Sequence, residues 1–128
     1  MSDWHEYKSI ELHGEIIDVD INMIDLIKNL NKTKLITRGC CENWSDDNAY
    51  IIFEVNAYNE LLKNNKNFYD FVKNVVVKQS EIYYNLNTHR HIKYDRTEYE
   101  NKYKNICEIW QYITFPTSSI NKLNNIVK

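Results

Sequence analysis

Little in this chain loosens or breaks the backbone. One proline and two glycines in 128 residues leave no room for long flexible linkers. The chain therefore reads as a single domain over 1–128, large enough to bury a core. No apolar run approaches the roughly 18 residues of a membrane span, so no membrane partner is expected. Neither sign of charge is in excess: 16 basic against 18 acidic side chains give a formal charge of −2. That removes any global electrostatic reason to bind nucleic acid, which is not expected as a partner. Cysteine is scarce and odd in number. Three thiols cannot all pair within the chain, which suits a reducing cytoplasm. The start, Met1-Ser2-Asp3-Trp4-His5-Glu6, lacks the basic stretch and apolar core of a signal peptide. The sequence also holds no Gly-rich phosphate loop, no nucleophile elbow and no His-Glu-x-x-His helix, so no cofactor is expected.

What is present is organised around Thr37-Arg38-Gly39-Cys40-Cys41-Glu42-Asn43 and the strand that follows. Leu35–Cys40 alternates as a strand, and Gly39 supplies the freedom needed at a bulge or strand end. Polar residues from Asn43 to Asn48 form a turn-rich connection to a second, nearly all-apolar strand, Tyr50–Val55, and the two read as an antiparallel hairpin. Apolarity on both faces predicts a strand covered on both sides. Ile82–Leu86 and Cys107–Phe115 complete a sheet of four or more antiparallel strands. Pro116 stops the last of these, since proline cannot donate to a ladder.

About three helices are expected to pack on that sheet, giving an α+β class. They cover residues 20–31, with Asp20 as N-cap, 57–76, with a break at Asn64-Asn65, and 117–127, capped by Thr117 or Ser118. Glu15–Val19 reads as a short strand entered through Gly14, and residues 1–9 as a frayed arm or edge element. Residues 97–105 fit a polar helix or a long edge strand. Ile52, Phe53, Ile109 and Trp110 are expected in the core.

Three groups of residues offer chemistry. Cys41 lies at a strand end in a loop, where a catalytic thiol would need access and a base. Buried packing is the reading favoured for Cys40 and Cys41, because adjacent Glu42 would disfavour a thiolate. His89 and His91, two apart on a strand, share a face, and His13 or Asp95 would have to complete a metal site. Solvated surface histidines account for them as well, and no metal is assigned. The local basic cluster is the hairpin His89, Arg90, His91, Lys93, Tyr94 and Arg96, with Tyr83, Tyr84, Tyr99 and Tyr103 nearby. Cations with interleaved aromatics suit phosphate contact and base stacking. The competing reading is a solvated hairpin whose tyrosines pack on strand faces.

The stretch Val19–Phe53 resembles a group of small, mostly uncharacterised phage-encoded proteins. Their pattern is an amphipathic helix, Thr-x-x-Ser-Cys-Glu-Gly, a polar loop and an aromatic-Ile-x-Phe strand. Thr37, Cys40, Cys41, Glu42, Asn43 and Tyr50-Ile51-Ile52-Phe53 match it here, with Cys40 in place of Ser and Asn43 in place of Gly. Asn tolerates the left-handed conformation that a Gly would supply. The resemblance implies a viral or prophage origin and so the host cytoplasm, and it carries no established activity. The function expected is a non-enzymatic binding protein that sequesters a small anionic ligand, nucleotide-like ones included, or occupies a host protein. The alternatives are a small enzyme using Cys41 and an oligomeric structural protein, for which a homo-oligomer would be the form.

Overall fold

Alternation along two long strands sets the architecture. The computed structural model describes residues 6–34, 36–45, 47–92 and 95–128, with the side chains of 43–45 and 92 outside the description. In chain order come β1 (Tyr7–Leu12), β2 (Glu15–Asp20), a 3-10 turn (Ile21–Met23) running into α1 (Ile24–Leu30), β3 (Thr37–Ser45) and β4 (Asn48–Glu54). Then follow α2 (Val55–Asn64), α3 (Lys66–Asn74), β5 (Lys78–Asn85), β6 (Arg90–Ile92) and a short helix α4 (Arg96–Glu98) widening into a π-type turn (Tyr99–Tyr103). β7 (Cys107–Pro116), a 3-10 turn (Thr117–Ser119) and α5 (Ile120–Val127) close the chain. β1 and β2 form a hairpin of their own, and the other five strands make one sheet in the order β3-β4-β7-β5-β6. Every pairing is antiparallel. The class is therefore α+β, with the antiparallel sheet expected from the sequence.

The register explains the core. Ala49 lies opposite Phe115, Ile51 opposite Ile113 and Phe53 opposite Gln111, and alternate residues of a strand share a face. Ala49, Ile51, Phe53, Ile113 and Phe115 therefore point the same way, and all five are wholly buried. The helices lie on this face. Phe53 meets Tyr58 of α2 at 5.2 Å and Phe68 of α3 at 6.0 Å between ring centroids, and Phe71 meets Phe115 edge-on at 5.6 Å. Leu26, Ile27 and Leu30 of α1, Leu123 of α5, and Ile10, Leu12 and Val19 of the hairpin join the same cluster.

Two-sided apolarity does not mean two-sided cover. Phe53 and Trp110 are buried as expected, but Ile52 and Ile109 are only half-buried. Ile52 points to the face opposite the helices. Ile109 lies toward the end of β7 where its partner Tyr83, packed on Tyr99 at 5.1 Å, takes the cover.

Several boundaries move for local reasons. β3 begins at Thr37, with Leu35 outside the described residues, and runs on to Ser45. Arg38 is its extra residue, because Thr37 faces Phe53 and Gly39 already faces Ile52; the bulge expected near Gly39 is present. Val55 starts α2 instead of ending a strand, since the Glu54 carboxylate accepts from Asn56 N at 3.1 Å and Ala57 N at 2.9 Å. The expected break is there: α2 ends at Asn64 and Asn65 Oδ1 caps α3 through Phe68 N at 3.0 Å. Residues 96–103 are helical, capped by Asp95. β1 is a true strand. Its turn to β2 places His13 and Gly14 at φ 50° and 85°, the two positive values that a type I′ hairpin turn needs.

Asp20 and Thr117 do not cap helices. Both hold the backbone of Glu42: Asp20 Oδ2 accepts its N–H at 2.7 Å, and Thr117 Oγ1 donates to its carbonyl at 2.6 Å. These contacts fix β3 against the start of α1 and the start of α5.

Candidate functional site

The side of the sheet opposite the helices carries a second group of aromatic side chains. It is built from the β5–β6 hairpin and the middle of β7. Asn85 makes the turn: its Oδ1 accepts from Asn87 N at 2.9 Å and Thr88 N at 3.1 Å, and its carbonyl accepts from His89 N at 2.8 Å. His89 then takes φ 56°, and β6 returns with His91 opposite Tyr84. On its other side Tyr84 faces Glu108, and Ile82 faces Trp110. Trp110 is thereby diagonal to Tyr84, within reach for large rings.

The two rings stack, with centroids 4.4 Å apart and planes 19° from parallel. His91 stands edge-on to both, at 5.4 Å from Tyr84 and 5.1 Å from Trp110. His89 Nδ1 is 3.3 Å from the Tyr84 hydroxyl. Trp110 Nε1 donates to Glu108 Oε1 at 3.2 Å. Further across the same face Tyr50 and Tyr112 pack at 5.6 Å.

The basic hairpin divides in two. His89 and His91 both flank Tyr84 on the open face, but His89 does so from the turn, outside the strand on which the pair was expected. Arg90 faces Asn85 in the register and so belongs to the other side of the edge strand. Arg96 starts α4 on the helix side, where it pairs with Glu81 at 3.1 Å and Glu100 at 3.9 Å and lies 6.0 Å from the Tyr99 ring. Lys93 and Tyr94 fall outside the described residues. Tyr83 is buried against Tyr99 and offers no stacking surface. Trp110 is the main residue that sequence reasoning placed in the core alone. Its shared face with Tyr112 was visible in the alternation, but the β5–β7 register that brings Tyr84 and His91 to it was not.

The thiols separate as neighbours on a strand must. Cys40 faces Ile51 on the helix side and is half-buried, short of the full burial expected, yet burial pushes its thiol up to about 12. Cys41 faces Tyr50 and is half-buried, where a buried position was expected. Burial also raises the Cys107 thiol. Cys41 on β3 and His91 on β6 are four strand spacings apart, roughly 19 Å along the sheet. His13 is held elsewhere, its Nε2 2.6 Å from the Asn31 carbonyl. Among the described residues no three His, Cys, Asp or Glu side chains are grouped to hold a metal ion, and no helix is long and apolar enough to cross a membrane.

Comparison with protein-family models, with curated proteins and with solved structures finds no match to this chain.

Proposed function

We propose that the chain is a non-enzymatic binding protein whose open sheet face takes a small anion of nucleotide type. The base would lie against the open side of Tyr84, which Trp110 backs, and the phosphate would turn toward His89 and His91. The observation that supports this most is the Tyr84–Trp110 stack with two imidazoles beside it. Tyr84 is held by Trp110 on its face and by His89 at its hydroxyl, so little rotamer freedom remains to be lost on binding. Charge orders the ligand: Glu54 and Glu108 lie opposite Trp110 and Tyr84, which directs an anion away from β4 and toward β6. Arg96, already paired with Glu81, has no part in this reading. A phage or viral origin, with action in the host cytoplasm, belongs to the same proposal and rests on the Val19–Phe53 motif.

Calorimetric titration with adenosine monophosphate and with ribose 5-phosphate tests it. The nucleotide binds more tightly than the sugar phosphate, and Tyr84→Ala removes about 1–3 kcal/mol of that affinity with the fold retained. Added salt weakens binding, because part of the attraction is between charges at an exposed surface. Equal affinity for the two ligands, or no loss in Tyr84→Ala, contradicts the base-stacking role. Absence of nucleotide binding would favour a host protein as the occupant of this face.

A further inference from the structure

A cleft of about 230 Å³ opens where β3, the turn into α1 and the turn into α5 meet. Among the described residues its walls are Asn22, Glu42, Thr117, Ser118, Ile120 and Asn121. Glu42 is held there from three directions. Asp20 Oδ2 accepts its N–H at 2.7 Å, Thr117 Oγ1 donates to its carbonyl at 2.6 Å, and Asn22 Nδ2 donates to its Oε2 at 2.8 Å. The backbone is fixed at this point, and one of the two carboxylate oxygens is already placed.

Glu42 is only 8% exposed, yet no ion pair among the described residues includes it. Its Oε1 accepts no hydrogen bond from them. Nor is that oxygen sealed in protein, a state that Arg38 Nε alone shows among the described side chains without a partner. Oε1 therefore opens to the cleft that Glu42 lines. Buried charges are ordinarily paired, because water no longer offsets them. Among the described residues no backbone N–H of either turn bonds the carboxylate, whose one donor is the neutral Asn22 amide. Lys122, next to Asn121 on α5, lines the groove against α3 instead. At the rim Ser118 and Asn121 are exposed, and their side chains make no hydrogen bond to the described residues. The cleft thus gathers acceptors around one carboxylate and brings no cation to it.

We propose that this cleft binds a primary alkylammonium group. Its N–H donors meet Glu42 Oε1, Asn22 Oδ1 and a side-chain oxygen of Ser118 or Asn121, and its alkyl chain leaves past the exposed rim. Ammonium is favoured over guanidinium. A bidentate fork takes both oxygens of a carboxylate, and Asn22 already holds Oε2. Ammonium is also favoured over Ca²⁺, which takes about six to eight oxygens with carboxylates prominent among them. Glu42 is the one carboxylate among the described residues that line the cleft, and it repels anions. The volume falls below the roughly 300–1,000 Å³ of sites for drug-sized ligands, which suits an amine head on a short chain. A free amine and the lysine side chain of another protein present this same group.

The test is titration of ¹⁵N-labelled protein at neutral pH with n-butylamine, n-butanol, n-butylguanidine and calcium chloride. Saturable shifts with n-butylamine are expected at the amides of Asn22, Glu42, Ser118 and Asn121. The alcohol gives none, and the guanidine binds more weakly by about tenfold. Glu42→Gln keeps an oxygen for Asn22 but removes the charge, and is expected to lose about tenfold or more in amine affinity. No saturable response to n-butylamine overturns the proposal, as does an equal response to n-butanol or unchanged affinity in Glu42→Gln. Guanidine binding as tight as the amine, or saturation by calcium alone, overturns it too. If Glu42→Gln fails to fold, the amine and alcohol comparison on the unaltered protein decides the matter by itself. Nα-acetyl-lysine N-methylamide separates the two sources: binding equal to that of n-butylamine assigns the group to a lysine side chain, and its exclusion assigns it to a free amine.

Discussion

Asn31 is the side chain whose replacement tests the packing of α1 on β3 most severely. It is 2% exposed, and its amide is fully used. Nδ2 donates to the Ile27 carbonyl at 2.7 Å and to Thr37 Oγ1 at 2.9 Å, while Oδ1 accepts from Ile36 N at 2.5 Å and Thr37 N at 3.0 Å. Asn31→Leu keeps the volume but strands two amide N–H groups at the start of β3. Each orphaned donor costs about 1–3 kcal/mol, so the expected loss is about 2–6 kcal/mol, a large share of a domain's usual net stability of about 5–15 kcal/mol. Urea denaturation followed by far-UV circular dichroism reads it directly. A loss under about 1 kcal/mol with an unchanged m-value would refute the reasoning. Asn31→Asp separates the acceptor from the donor role. Its oxygens still receive Ile36 N and Thr37 N, but one now faces the Ile27 carbonyl. Burial would raise the new carboxyl's pKa above its unfolded value of about 3.9. The folded state then binds the proton more tightly, so the deficit is smallest below that pH and grows as pH rises. A deficit that shrinks with rising pH would contradict a buried carboxyl at this position.

Two further perturbations follow from the same geometry. Phe53→Ala empties the space between β4, Tyr58 and Phe68 and is expected to cost about 3–5 kcal/mol in chemical denaturation; under about 1 kcal/mol would place Phe53 outside the core. Cys40, with its thiol pushed up to about 12, stays protonated at pH 8 and is expected to resist thiol reagents in the native state. Rapid modification of Cys40 in a Cys41→Ala, Cys107→Ala background would contradict a thiol held protonated by its surroundings.

Elements with a local cause were legible in the sequence, and those fixed from a distance were not. The strands at Ile82 and Cys107 follow from alternation, the strand at Tyr50 from its apolar run, the break at Asn64-Asn65 from its paired asparagines, and the turn before β6 from Asn87-Thr88-His89. Asp20 and Thr117 look like caps because their side chains suit helix starts, yet both are spent on Glu42, 22 and 75 residues away. Nothing local announces such bonds. Asn31 is hidden for the same reason, reading as a polar helix end while it seals the start of β3. Glu54 shows the converse: Val55 favours a strand, but the carboxylate before it caps a helix. The candidate site divides along the same line. The parity of His91 follows from its place on β6, whereas His89 reaches the same face through the turn and the meeting of His91 with Trp110 depends on the β5–β7 register. Arg90 and Arg96, close to the histidines in sequence, are drawn off by strand parity and by Glu81.

The open face is tested most directly by a titration of ¹⁵N-labelled protein with adenosine monophosphate, read at every assigned amide and at the Trp110 indole N–H. The account predicts saturable shifts at Tyr84, His89, His91 and Trp110, with the Phe53 and Phe115 amides on the helix-covered strands unmoved. Saturable shifts confined to other residues, or none at any of these four, would contradict it.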